Sequence, residues 1–168
     1  MMKKSLKKNL LMSEIRVFNA SPLILLKKIN ALELIEKICD IVVVPYSVRE
    51  EVLRGGREEW GDFFDRVDVR KSEAIDVRVL EWGLGKGESE AISLALANGW
   101  EVVLDDKQAR NCAKSLGVKV RGTLGILLLA KHKGVIEKVN FYIDRLKKAG
   151  IYIDEKLERK VKELAKEK

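Results

Sequence analysis

Four places in the chain set oxygen-bearing side chains where apolar segments end. They are Asn19 after "EIRVF", Glu50 and Glu51 after "IVVVP", Glu88 and Glu90 in "GESEAISLALANG", and Asp105 and Asp106 after "EVVL". Three inward carboxylates at one sheet edge would repel one another unless a cation or a proton lay between them. Hard oxygen ligands of this kind suit Mg2+ or Mn2+, which keep several waters and accept one or two carboxylates together with a phosphate oxygen. The chemistry is that of phosphodiester hydrolysis, in which the ion polarises the phosphate and activates a water for in-line attack. A two-metal version would need ions about 3.5 to 4 Å apart, and the sequence does not choose between one ion and two.

Each acid also has a purely structural reading, since Asp or Asn before a helix caps it and Glu in a first turn favours the helix dipole, at about 0.5 to 1 kcal/mol. Capping separates the members of the doublets. Ser47 followed three residues later by Glu50 forms a capping box, which leaves Glu51 free, and Asp105 followed by Gln108 has the same spacing, which leaves Asp106 free. Glu88 and Glu90 point about 200° apart on a helix, and Glu88 shares a face with Ile92 and Ala95, so Glu88 is the inward one. Glu50, Glu90 and Asp105 stay as the alternates.

Other chemistries find less support. The single histidine, His132, sits in a "KHK" segment near a helix end, and neither a Ser/His nor a Cys/His pair is visible. "GKGESE" lacks the Ser or Thr of a phosphate loop, and its Glu88 would repel a phosphate.

The elements that must position these groups alternate in type. "EIRVFN" reads as a buried strand. "SPLILLKKI" follows as a helix with Ser21 as cap and Pro22 in its first turn. "DIVVVP" is a second strand and "SVREEVLRGG" a helix. "DRVDV" is a third strand, "AIDVRVLEW" a short helix and "GESEAISLALANG" a longer one. "WEVVLD" and "VKVRG" are strands around "KQARNCAKSLG", whose Ala109, Cys112, Ala113 and Leu116 form one buried stripe. "TLGILLLAKHKG" closes the pattern, with Thr123 as its cap. The alternation predicts a three-layer α/β/α sandwich around a mostly parallel sheet, with functional groups beyond the carboxyl ends of the strands. The organisation expected is a basic tail over residues 1–14, one α/β domain over 15–134, and two charged helices over 135–168 whose stripe of Leu157, Val161 and Leu164 packs on the domain or on a partner chain.

At 168 residues, 46% hydrophobic and 35% charged, the chain can build a single core. Cys39 and Cys112 lie far apart, outside any metal-ligand spacing, and read as core residues. No apolar run is long enough to span a bilayer or form a signal-peptide core, so a cytoplasmic location is expected. The net charge is +7, and its densest part is the start, where Lys3, Lys4, Lys7, Lys8 and Arg16 face only Glu14. The remainder is mildly basic.

The blocks "VFNASPLILL", "VVVPYSVREEVLRGG", "GKGESEAISLALANGWEVVLDDKQAR" and "GVKVRGTLGILLLAKHKG", in this order over roughly residues 15 to 134, resemble the PIN-domain superfamily. More narrowly, they look like a prokaryotic branch with a "NASPLI" opening and a "GTLG" helix start. The resemblance implies a Mg2+- or Mn2+-dependent ribonuclease fold, often the toxin half of a toxin–antitoxin pair, with a small antitoxin protein as partner. It puts the family's acidic positions on Asn19, Glu51, Glu88 and Asp106. The departure is Asn19, where most active PIN nucleases carry aspartate. An amide lends a neutral oxygen but removes a full negative charge from a metal site. Ser21 and Thr123 stand as auxiliary groups.

Lys107, Arg110 and Lys114 recur on one face of the helix after Asp106 and could carry backbone phosphates toward the acids. Trp60, Trp82 and Trp100 are dispersed and read as packing residues. The sequence thus points to an RNA phosphodiesterase acting as a homodimer. The alternative is an attenuated PIN module that binds RNA or a protein partner without turnover, because Asn19 has replaced a ligand.

Overall fold

The computed structural model describes residues 13–72 and 74–168. Five strands, β1 (Ile15–Phe18), β2 (Ile41–Pro45), β3 (Asp68–Arg70), β4 (Glu101–Val103) and β5 (Val120–Arg121), form one sheet in the order β3-β2-β1-β4-β5. Every pairing is parallel. Such a sheet must be covered on both faces, and its strands are accordingly apolar on both. Phe18, Val42, Val44 and Val103 enter one buried cluster, while Val17, Val43, Val102 and Leu104 enter another.

The first cluster is completed by α1 (Ala20–Lys28), α2 (Glu33–Ile38), α3 (Tyr46–Arg54) and α8 (Thr123–His132), together with α9 (Val139–Lys148) and α10 (Glu155–Leu164). The second is completed by α5 (Val77–Leu80), α6 (Lys86–Asn98) and α7 (Lys107–Ser115). A 3-10 turn at Glu58–Trp60 leads into α4 (Phe63–Arg66), and Trp60 and Phe63 join the first cluster. This is the three-layer sandwich that the alternation of elements predicts. Trp60 packs on Phe63 and Phe64, and Cys39 and Cys112 are buried thiols.

At the amino ends of the central strands, buried Arg16 bonds Glu101 Oε1 at 2.8 Å and the Ile38 carbonyl at 3.1 Å, and Arg121 bonds the same Glu101 oxygen at 2.8 Å. Burial pushes the Glu101 carboxyl up, but the two guanidiniums outweigh it and hold it below the usual carboxylate range. A carboxylate with both neighbours cationic satisfies the charge that strand burial would otherwise strand.

Four local expectations change. The helix after β1 starts at Ala20, so Ser21 lies inside its first turn and is not the cap; Asn19 occupies the cap position without a side-chain bond. The helix after β2 starts at Tyr46 on Pro45, two residues too early for a Ser47–Glu50 capping box. Of the C-terminal stripe, Val161 is buried with Ala165, whereas Leu157 is 46% and Leu164 63% exposed. The "AIDVRVLEW" helix shrinks to the single turn of α5, capped by Asp76 through the Arg78 N–H. The basic residues Lys3, Lys4, Lys7 and Lys8 lie outside the described residues. Among the described residues no helix is long and apolar enough to cross a membrane.

Candidate functional site

The chain runs outward from central β1 in both directions, to β2 and β3 on one side and to β4 and β5 on the other, so the topological switch lies between β1 and β4. Ligands of parallel sheets bind beyond the strand ends at such a switch, and the starts of α1, α3, α6 and α7 all lie at that end. A cleft of about 560 Å3 opens there, lined by Asn19, Ser21, Ser47, Glu50, Glu51 and Glu88 among others.

Asn19 follows directly on β1 and is only 5% exposed. Its backbone N–H continues the sheet ladder to the Val103 carbonyl at 3.2 Å, which fixes the residue, while its carboxamide makes no hydrogen bond among the described residues. Glu50 and Glu51 come from the middle of α3. Glu88 is the third residue of α6, and Gly87 before it is the contact point of the site. A methyl group at the Gly87 α-carbon would stand 3.1 Å from Val48 Cγ2, 3.3 Å from Glu51 Oε2 and 3.5 Å from Asn19 Oδ1. Only glycine leaves the two oxygens that approach unforced.

Burial pushes the Glu88 carboxyl above its usual value, and the charges of Asp106 and Glu51 push the same way against hydrogen bonding from the Gly85 backbone. Glu88 thus lies in the field of both Asp106 and Glu51. None of the three has an ion-pair partner among the described residues. As they stand, no three Asp, Glu, His or Cys side chains among the described residues are gathered closely enough to hold a metal ion. Asp106 is exposed at the margin and lines no wall of the cleft.

The capping assignment of the aspartates is the reverse of the expected one. Asp106 is the cap of α7, its Oδ2 accepting from the Ala109 N–H at 2.9 Å. Asp105 instead reaches across to α8, accepting from the Thr123 N–H at 2.8 Å and the Thr123 hydroxyl at 2.6 Å. Thr123 is therefore the first helical residue, held by Asp105, and not a cap or a wall of the cleft; the cap position is Gly122. Both carboxyl oxygens of Asp105 are used, whereas Asp106 keeps one free.

Glu90 is buried, 6% exposed, and lies behind the cleft-lining Ser47, to which it bonds, without lining the cleft itself. Its Oε2 accepts from the Ser47 hydroxyl and from the Ser47 N–H at 3.3 Å, and its Oε1 accepts from the Ser72 N–H at 3.3 Å. It ties α6 to the start of α3 and to the loop after β3. Ser47, expected to serve Glu50, serves Glu90, and Glu50 faces the cleft beside Glu51. Of the three basic residues on α7, Lys107 and Lys114 are exposed, while Arg110 donates from Nη1 to the Leu104 carbonyl at 2.9 Å. Gly87, Arg54, Lys86 and Tyr46 also line or shape the cleft and were not singled out by the sequence.

The chain belongs to the PIN-domain family, whose model matches residues 15–167. This is a class of nuclease-like domains. A solved structure of a PilT N-terminus domain protein from the hyperthermophilic archaeon Sulfolobus solfataricus P2 is similar in fold, with 24% identity and a TM-score of 0.52 over 67% of this chain and 89% of that one. Seven solved chains match in all, and a search of curated proteins finds no match.

Proposed function

We propose that the chain is a divalent-metal-dependent endoribonuclease in which Glu51, Glu88 and Asp106 hold Mg2+ or Mn2+ and Asn19 is an auxiliary ligand. The observation that carries this reading is the convergence on Gly87 and Glu88: the Glu51 and Asn19 oxygens flank one α-carbon, and Glu88 is raised by burial and by the charges of Asp106 and Glu51. The donor set is all oxygen and includes a nearly buried carboxamide; among the described residues none of the three acids has an ion-pair partner and the carboxamide has no hydrogen bond, which fits a hard cation. Bound there, the ion would supply Lewis-acid polarisation of a phosphate.

The residues of the chain do the rest. Glu88, at the start of α6 beside the Glu51 oxygen, is placed to hold the ion or to accept a proton from a water at the site. Asn19 orients through its carboxamide, fixed by the β1 ladder. Asp106, with one oxygen engaged at the helix cap, presents the other from a rigid helix start. Residues 15–134 are the working domain and 135–168 its helical extension. Finer parts of the proposal are a toxin role, a small antitoxin protein over the cleft, a cytoplasmic setting, and a homodimer formed through exposed Leu157 and Leu164.

End-labelled single-stranded RNA incubated with Mn2+ tests it. Cleavage that stops with chelator and with Asp106→Asn is expected. RNA binding by the parent without cleavage favours instead the attenuated module that Asn19 makes conceivable, and cleavage surviving chelation contradicts the metal.

A further inference from the structure

One large side chain at the cleft is unused by the chemistry above. Tyr46 opens α3 directly after Pro45, lines the cleft, and is 38% exposed. Its ring belongs to neither buried cluster, and its hydroxyl makes no hydrogen bond among the described residues. Exposing an aromatic ring on a wall otherwise made of small and charged residues forgoes burial that the core could have given it.

The ring is nevertheless held. Lys71 places its ammonium 4.8 Å from the ring centroid. The neighbours of both residues are tied to one carboxylate, since Glu90 accepts from Ser47 with one oxygen and from Ser72 with the other. Buried Glu90 therefore fixes the residue after Tyr46 and the residue after Lys71 together, although they lie on different elements. On the same cleft, Arg54 and Lys86 line the wall beside the acids, and neither they nor Lys71 form an ion pair among the described residues. An exposed aromatic ring braced beside unpaired cations suits a chain that alternates flat bases with phosphates.

We propose that Tyr46 and Lys71 form a nucleotide subsite of the cleft, in which one base of a single-stranded RNA stacks on the Tyr46 ring while Lys71, Arg54 and Lys86 meet the flanking phosphates. The inference rests on the nuclease reading for what the strand is brought to. Stacking accepts any base, so the subsite confers little sequence preference, but it demands an unpaired nucleotide and so selects single strands over duplex.

The test is fluorescence anisotropy of the full chain with a labelled, non-cleavable 2′-O-methyl oligonucleotide, alongside a cleavage assay on the matching RNA. Tyr46→Ala should weaken binding roughly tenfold and Tyr46→Phe leave it near the parent. Scanning a single abasic residue through the oligonucleotide should find one position whose loss weakens the parent but not Tyr46→Ala, because the two deletions remove the same contact. Tyr46→Leu, which keeps apolar bulk without a π face, serves if the alanine variant folds poorly, and should lose affinity as well. Tyr46→Ala or Tyr46→Leu binding as tightly as the parent, or abasic losses equal in parent and variant, overturns the subsite. If the parent binds through Tyr46 but cleaves nothing, the subsite stands and the nuclease reading falls. If the parent cleaves and Tyr46 is indifferent, only the subsite falls, and if the parent does not bind the strand, the subsite falls as well.

Discussion

The Glu51 carboxylate and the Asn19 carboxamide meet across Gly87, their Oε2 and Oδ1 atoms 3.3 and 3.5 Å from where a side chain would begin. Gly87→Ala should therefore crowd the Glu51 carboxylate at 3.3 Å and fully buried Val48 at 3.1 Å, while leaving the Asn19 amide in ordinary contact. The give needed is a few tenths of an ångström, short of the roughly 1 Å misplacement that costs on the order of 100-fold, so a partial loss of turnover, roughly several-fold, is expected. The expected outcome is a partial loss of Mn2+-dependent cleavage with a fold that still melts cooperatively; parent-like turnover contradicts the close approach.

Glu88 makes the site pH-sensitive. Its carboxyl holds a proton more tightly in the folded chain than the ordinary value of 4.5, so the ionised form weighs against the fold above that range, and the burden disappears as pH falls through it. Glu88→Gln should raise the melting temperature in metal-free buffer near neutrality and lose that advantage near pH 4. Equal melting of parent and variant at neutral pH counts against the crowding of charge around Glu88.

Asn19→Asp restores a charge beside Glu51. A unit charge at about 4 Å from a cation is worth several kcal/mol even at an effective dielectric of about 20, so Mn2+ should bind at least tenfold tighter by calorimetry. Without metal the same variant should melt lower than the parent. Unchanged affinity would mean that the carboxamide faces no ion.

The adjacent aspartates should separate cleanly. Asp105→Ala uncaps α8 and should cost about 0.5 to 2 kcal/mol in denaturant unfolding while leaving Mn2+ affinity intact. Asp106→Asn keeps a cap on α7 and should lower Mn2+ affinity with little change in stability. Glu90→Ala, which leaves the Ser47 and Ser72 donors unmet, should cost about 1 to 3 kcal/mol. A metal-binding loss from Asp105→Ala alone would reverse these roles.

The layers and parallel sheet were legible because the central strands β1, β2 and β4 are apolar on both faces and the helices carry their period, as in Ala109, Cys112 and Ala113 of α7. Capping was less legible, because the partners that decide it are remote: Asp105 bonds Thr123 18 residues on, and Ser47 bonds Glu90 43 residues on. Reading within one helix could not see either. The choice of Asp106 was reached through a capping argument that the structure reverses, although the Asp106 charge does reach Glu88. Gly87 escaped notice because its role is the absence of a side chain between two segments, and Tyr46 because one exposed ring has no periodicity to announce it.

An ion held by acids from three segments is tested most directly by an anomalous difference map from crystals soaked in Mn2+. The expected result is a peak in the cleft contacted by Glu51, Glu88 and Asp106, with the Asn19 carboxamide oxygen on its side nearest β1. A cleft without a peak, at Mn2+ concentrations that support RNA cleavage, contradicts it.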